Sequence, residues 1–115
     1  MPTPHYNRVK TFMQKVGQDT PEIATIPDEK IRILRAKLIL EEALETVDAL
    51  GVSVEIEGTP LREEGLQYSA PGEVDLKEVV DGCADISVVT IGTLISFGID
   101  DDPVLQEVDA SNLRK

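Results

Sequence analysis

The sequence predicts an all-α fold, an antiparallel helical bundle organised by two long helices. Apolar residues recur at helical spacing over residues 28–50 and again over residues 74–97. Both runs are far longer than the ~5–6 residues of a typical strand. The chain has 115 residues, the size of one domain, so we expect residues 1–115 to form a single domain.

The start of the chain predicts a shorter helix and a connector. Residues 1–4 are expected to be loose, and residues 7–16 place their apolar side chains at helical spacing. Residues 18–27 contain two prolines and predict a connector. Asp28 is expected to cap the first long helix, and Gly51 is expected to end it.

The middle of the chain predicts a loop between the long helices. Residues 51–77 are rich in glycine and proline and begin with a strand-like alternation, so a small β-hairpin is possible there. Residues 79–97 are rich in β-branched side chains, which leaves a strand as the rival, but the length of the run favours a helix. Gly98 ends this helix, and a last short helix is expected from Asp102 or Pro103.

The charge of the chain narrows the class of partner. It carries 22 acidic and 11 basic side chains, a formal net charge of −11 at pH 7. Such a surface repels the phosphates of DNA and RNA, so no nucleic-acid polymer is expected as a partner. The excess of acid is otherwise ambiguous, because it fits a solvated surface as well as one that binds divalent cations.

The cysteine count and the hydropathy pattern predict a cytoplasmic protein. No stretch approaches the ~18 apolar residues of a membrane span, and no signal peptide or membrane partner is expected. Cys83 has no second cysteine to pair with, which fits a reducing compartment, and we expect a buried structural thiol. His5 is expected to be exposed in the loose N-terminus. Because aromatic residues make up only 3% of the chain, the small aliphatic core predicts a homo-oligomer.

On the first long helix, carboxylates lie on the same face as apolar side chains. Successive helical residues turn by ~100°, which places Glu41 and Glu45 in line with Leu38. Glu42 lies at the edge of the same stripe. An ionised carboxylate that points toward a core is costly without a partner.

The second long helix repeats this pattern, with Glu78, Asp81 and Asp85 in line with Val88. One acidic motif on a helix is usually a solvated face, but two stripes in line with apolar positions favour a metal site between facing helices. A hard divalent cation such as Mg²⁺ takes oxygen ligands and would offset the cost of directing these carboxylates toward the core.

Three segments carry a resemblance to a known family. Residues 35–45 read RAKLILEEALE, and residues 81–89 read DGCADISVV. Together they resemble the MazG-like all-α NTP pyrophosphohydrolase superfamily, which includes dimeric dUTPases and phosphoribosyl-ATP pyrophosphohydrolases. Residues 107–115 resemble the ending of the phosphoribosyl-ATP-pyrophosphohydrolase-like branch.

The resemblance implies hydrolysis between the α and β phosphates of a nucleoside triphosphate, giving a monophosphate and pyrophosphate. It implies Mg²⁺, or Mn²⁺ in its place, and a homodimer or dimer of dimers. Glu41 would match an acid that positions or activates water. The metal ligands are expected to be Glu42, Glu45, Asp81 and Asp85, and the substrate-binding residues to be Arg35, Asn112 and Lys115.

Gly82 departs from the superfamily pattern. The second motif is commonly ExxD, which would place a glutamate at position 82. Asp81 or Glu78 must then supply that ligand, and Asp81 is preferred. The departure also leaves an alternative open: a non-enzymatic oligomeric helical module that binds a nucleotide or a protein and carries a degenerate metal site.

Overall fold

The computed structural model describes residues 1–58 and 60–115 of the chain. It confirms the all-α class, with a small antiparallel hairpin inside residues 51–77. A short 3₁₀ turn at Glu63–Gly65 precedes the second strand of the hairpin. The elements, in chain order, are α1 (Pro4–Lys15), α2 (Glu29–Ala49), β1 (Ser53–Ile56), β2 (Leu66–Ser69), α3 (Leu76–Ser96) and α4 (Asp101–Leu113).

The N-terminus is held in place, so the prediction of loose residues 1–4 is wrong. The Thr3 hydroxyl accepts the Tyr6 N–H at 3.2 Å and caps α1. The Thr3 N–H and hydroxyl also donate to the two carboxylate oxygens of Asp101, at 3.1 and 2.6 Å. Asp101 is fully buried and begins α4, one residue before Asp102, the earlier of the two predicted starts. The chain start and the start of α4 are therefore joined.

The described chain divides into two compact units, residues 1–38 with 87–115 and residues 39–86. The core of the first unit is formed by α1 and the last part of α3. It includes Tyr6, Val9 and Met13, whose i, i+3 and i+7 spacing directs them to one face of α1, together with Ile91 and Ile95. Phe12 lies outside this core and is 56% exposed.

The second unit contains the hairpin and a close backbone contact behind it. Strands β1 and β2 pair from Ser53 with Ser69 to Ile56 with Leu66. Gly51 has a φ of 78°, which favours glycine, and its carbonyl accepts the Gly72 N–H at 2.9 Å. The expectation that Gly51 ends α2 is confirmed.

Helix α3 is more apolar than the sequence prediction allowed. Over an 18-residue window its mean hydropathy is 1.5, which is enough in length and composition to cross a membrane. The expectation that no stretch approaches a membrane span is therefore wrong. Core helices of soluble proteins have the same length and composition, so these two properties alone do not indicate a membrane span.

Candidate active site

Acidic side chains interact in the second unit, around Glu42. The helical spacing of α2 places Glu42 and Glu45 on one face, because residues three apart are neighbours there. Burial raises the pKa of Glu42 above its ordinary value, and nearby negative charges raise it further. Those charges belong to Glu45, Asp85 and Glu41. Carboxylates of α2 and α3 are therefore close enough to repel one another.

The Glu42 carboxylate also has an unused acceptor. Its Oε2 atom is buried and has no hydrogen-bond partner within residues 1–58 and 60–115. A buried acceptor without a donor is unfavourable, and more so when it carries negative charge. A cation would satisfy this atom and offset the neighbouring charges, and carboxylate oxygens are the ligands that a hard divalent metal prefers.

The acids do not form a closed cage. No group of three His, Cys, Asp or Glu side chains in the described part of the chain is arranged to hold a metal ion. Glu41, Glu45 and Asp85 are exposed, and Glu42 is half-buried. The observed arrangement is a cluster of repelling carboxylates whose most buried member lacks a partner.

Asp81 and Glu78, the two candidates for the remaining ligand, both lie exposed on α3. Neither is among the charges that raise the pKa of Glu42. The choice of Asp81 over Glu78 stays a prediction.

Gly82 has a packing role that sequence reasoning missed. It is buried, and a Cβ atom at this position would lie 3.0 and 3.1 Å from Cβ and Cγ2 of Thr46 and closer still to its hydroxyl. That hydroxyl donates to the backbone carbonyl of Glu42 at 2.8 Å. A glutamate at position 82 would have to displace Thr46. The sequence does contain a signal for this packing role. A glycine inside a helix destabilises it by about 1 kcal/mol relative to alanine, so a glycine there usually has a packing or functional reason.

Arg35 belongs to the first unit, where it is only 5% exposed. Its Nη2 donates to the Val89 carbonyl at 2.8 Å, and its Nε donates to the Thr93 hydroxyl at 3.2 Å. Gly92 makes room for the guanidinium, since a Cβ there would lie 3.2 Å from its Cζ atom. The charged side chain of Arg35 therefore packs against α3 and is hydrogen-bonded to it.

The other two predicted substrate contacts lie at the exposed end of the chain. Asn112 is in the last turn of α4, and its carbonyl accepts the Lys115 N–H at 3.2 Å. Both side chains are exposed. They belong to the first unit, whereas the acids around Glu42 belong to the second.

Two residues differ from their sequence predictions. His5 lies on α1, half-buried, with its Nε2 atom 2.9 Å from the Ser87 hydroxyl, so its predicted exposure in a loose terminus is wrong. Cys83 is exposed on α3, so the expected buried thiol is also wrong. Its buried neighbour on the helix is Gly82.

A comparison with known families matches most of the chain. The family model described as phosphoribosyl-ATP pyrophosphohydrolase matches residues 9–112, nearly the whole chain. The chain belongs to the phosphoribosyl-ATP pyrophosphohydrolase family. This confirms the resemblance found in the sequence and indicates pyrophosphohydrolase activity on a nucleotide-like substrate. A search among curated proteins gave no match.

Proposed function

We propose that this protein is a Mg²⁺-dependent nucleoside-triphosphate pyrophosphohydrolase, with Mn²⁺ as a substitute metal. It cleaves a ribo- or deoxyribonucleoside triphosphate to the monophosphate and pyrophosphate. The observation that carries the proposal is the buried, unpartnered Glu42 oxygen, surrounded by the charges of Glu45, Asp85 and Glu41. Family membership supports the reaction type.

The carboxylates of α2 and α3 have separate roles in this proposal. Glu42, Glu45 and Asp85, with Asp81, hold the cation. When bound, the cation neutralises phosphate charge and polarises the bond that breaks. Glu41, exposed beside them, orients the attacking water and accepts its proton.

Basic and polar side chains contact the substrate in this proposal. Arg35, Asn112 and Lys115 contact its phosphate or sugar oxygens. The substrate panel that tests this proposal includes phosphoribosyl-ATP, because the matched family is described by that compound. It also includes dUTP, the other dNTPs and the four ribonucleotides.

The test is release of pyrophosphate from each compound with Mg²⁺, analysed so that pyrophosphate and inorganic phosphate are distinguished. We expect monophosphate and pyrophosphate in equal amounts from at least one compound, and no release in excess EDTA. Release of inorganic phosphate alone would contradict cleavage between the α and β phosphates. Binding of nucleotides without turnover would favour the non-enzymatic module, which the open arrangement of the acids leaves as the second candidate.

We also propose a homodimer or dimer of dimers. Helix α2 carries exposed Ile33, Leu40 and Leu44, and α4 carries exposed Val104 and Val108. Apolar side chains at helical spacing on a surface suit a second helix of another copy. Light scattering at micromolar concentration is expected to give at least twice the chain mass of 12.6 kDa, and a monomer would contradict this. We further propose a cytoplasmic protein without a nucleic-acid or membrane partner.

A further inference from the structure

The guanidinium of Arg35 is a buried cation without a counterion. It forms no ion pair with any carboxylate of residues 1–58 and 60–115. Burial lowers its pKa, as expected when the charged form loses water. Burying a charge without a partner is strongly unfavourable, so such a group is normally paired.

Part of the hydrogen-bonding capacity of Arg35 is also unused. A guanidinium has five N–H donors in a planar fork. Nε donates to Thr93 and Nη2 donates to Val89, whereas Nη1 donates to no residue in the described part of the chain. Because Gly92 has no Cβ, the guanidinium can lie close to α3: a Cβ there would lie 3.2 Å from Cζ and 3.5 Å from Nη1.

The unused edge belongs to a residue that lines two clefts of the first unit. The smaller cleft has a volume of about 260 Å³, and most of its walls are apolar side chains such as Phe12, Met13 and Val88. Among the described residues that line it, Arg35 alone is charged. Gln18 and Arg35 also line the neighbouring cleft of about 380 Å³, where Lys30 adds a second cation but Asp19 and Asp28 add two acids.

We propose that this smaller cleft, the Arg35 cleft, binds a small ligand that carries a carboxylate or phosphate group on an aromatic or apolar body. The oxyanion pairs with the free edge of Arg35, since a guanidinium matches the planar geometry of carboxylate and phosphate oxygens. The apolar body lies against Phe12, which is otherwise 56% exposed. The volume is below the usual range for drug-sized ligands, ~300–1,000 Å³, which limits the ligand to about one ring.

A neutral ring would satisfy the apolar walls equally well but would leave the cation unpaired. An inorganic anion would pair with the cation but would leave Phe12 exposed. The cleft is therefore expected to require both parts on one molecule. The inference rests on the substrate-binding role proposed for Arg35 and extends it, but it is tested by binding in EDTA, without turnover.

The test is an NMR titration of the full chain with benzoate, phenyl phosphate, benzyl alcohol and inorganic phosphate. We expect benzoate or phenyl phosphate to shift the signals of Phe12 and of the Arg35 side chain in a saturable way. Benzyl alcohol and inorganic phosphate should each bind at least tenfold more weakly. The ratio of benzoate to phenyl phosphate affinity tells which oxyanion the cleft prefers.

Two variants examine the role of the guanidinium. Arg35→Gln should lose at least tenfold in affinity for the anions and keep its affinity for benzyl alcohol. Gly92→Ala keeps the charge of Arg35, but the added methyl group displaces the guanidinium from its position against α3. This variant should weaken anion binding as well. Lys10→Gln, which removes a cation of α1 that pairs with Glu22, is the matched control and should bind as the wild type does.

The proposal is overturned if wild-type protein binds benzoate, phenyl phosphate and benzyl alcohol equally well, an outcome that does not depend on whether Arg35→Gln folds. Unchanged anion affinity in a folded Arg35→Gln or Gly92→Ala protein overturns it too. A protein that releases pyrophosphate but fails these titrations refutes the cleft alone, and one that binds the anions but releases no pyrophosphate refutes the proposed reaction alone.

Discussion

Gly82 of α3 lies directly against the side chain of Thr46 of α2, so the two helices meet there with no room for a Cβ atom. Asp85 follows Gly82 by three residues, and Glu42 precedes Thr46 by four. Glu42 and Asp85, which belong to the group of interacting carboxylates, therefore each lie about one helical turn from the contact between Gly82 and Thr46. The glycine that replaces the expected acid is thus a point of direct contact between α2 and α3 in the second unit.

Gly82→Ala is expected to weaken both folding and metal binding. The added methyl must displace Thr46, and overpacking of this kind costs about 1–3 kcal/mol. The better helix propensity of alanine offsets about 1 kcal/mol of that cost. We expect a net loss in urea denaturation and at least a fivefold weaker Mn²⁺ affinity. Cys83→Ala, at the exposed neighbouring position, should change stability by no more than about 0.5 kcal/mol. Equal metal affinity in Gly82→Ala and wild type would show that the contact does not position the acids.

The Glu42 carboxyl gives the metal-free protein a specific pH dependence. Its folded pKa is raised above the ordinary value of 4.5, so the folded state holds the proton more tightly than the unfolded state. Stability should therefore fall as the pH rises from about 4.5 through the raised pKa. Glu42→Gln removes this loss and should be more stable than wild type at pH 7 in EDTA. The measurement is the urea midpoint against pH for both proteins.

Asp109→Asn, a change at an exposed acid of α4, is the control for the loss of one negative charge and should keep the wild-type slope. A Glu42→Gln protein with the same pH slope as wild type would contradict the raised pKa. Mg²⁺ should stabilise wild type at pH 7 and stabilise Glu42→Gln much less.

The contact between Thr3 and Asp101 is expected to be a major source of stability in the first unit. Thr3→Ala removes a helix cap, typically worth about 0.5–2 kcal/mol, and leaves a buried carboxylate without one of its donors. We expect a loss of about 2–3 kcal/mol in urea denaturation. Thr3→Ser keeps the hydroxyl and should lose less than about 1 kcal/mol. Equal stability of the alanine and serine variants would refute the role of the hydroxyl.

Sequence patterns predicted the parts of this molecule that depend on local spacing. The acid stripe on α2 and the Asp28 cap, which accepts the Ile31 N–H at 3.0 Å, follow from residues within a few positions of each other. The bond between Thr3 and Asp101 joins positions 98 apart and has no local signature. The exposure of Cys83 likewise depends on which face of α3 meets α2, and the sequence alone does not specify that face.

Glu41→Gln is expected to separate turnover from metal binding. Glu41 is exposed, and the role proposed for it is on the attacking water rather than on the cation. Loss of a general base typically costs about 10²–10⁴-fold in rate. We expect kcat for pyrophosphate release to fall by at least about a hundredfold while Mn²⁺ affinity changes less than threefold. A parallel loss of kcat and of Mn²⁺ affinity would indicate that Glu41 binds the metal instead.

The most direct test of the account is Mn²⁺ titration together with pyrophosphate release on wild type, Glu45→Gln and Asp85→Asn. Asp48→Asn serves as the matched control, because Asp48 is an acid of α2 that is not among the charges that raise the pKa of Glu42. We predict that Glu45→Gln and Asp85→Asn stay folded, bind Mn²⁺ at least tenfold more weakly and lose nearly all pyrophosphate release, while Asp48→Asn resembles wild type. Wild-type metal affinity and turnover in both Glu45→Gln and Asp85→Asn would contradict a catalytic metal site on these carboxylates.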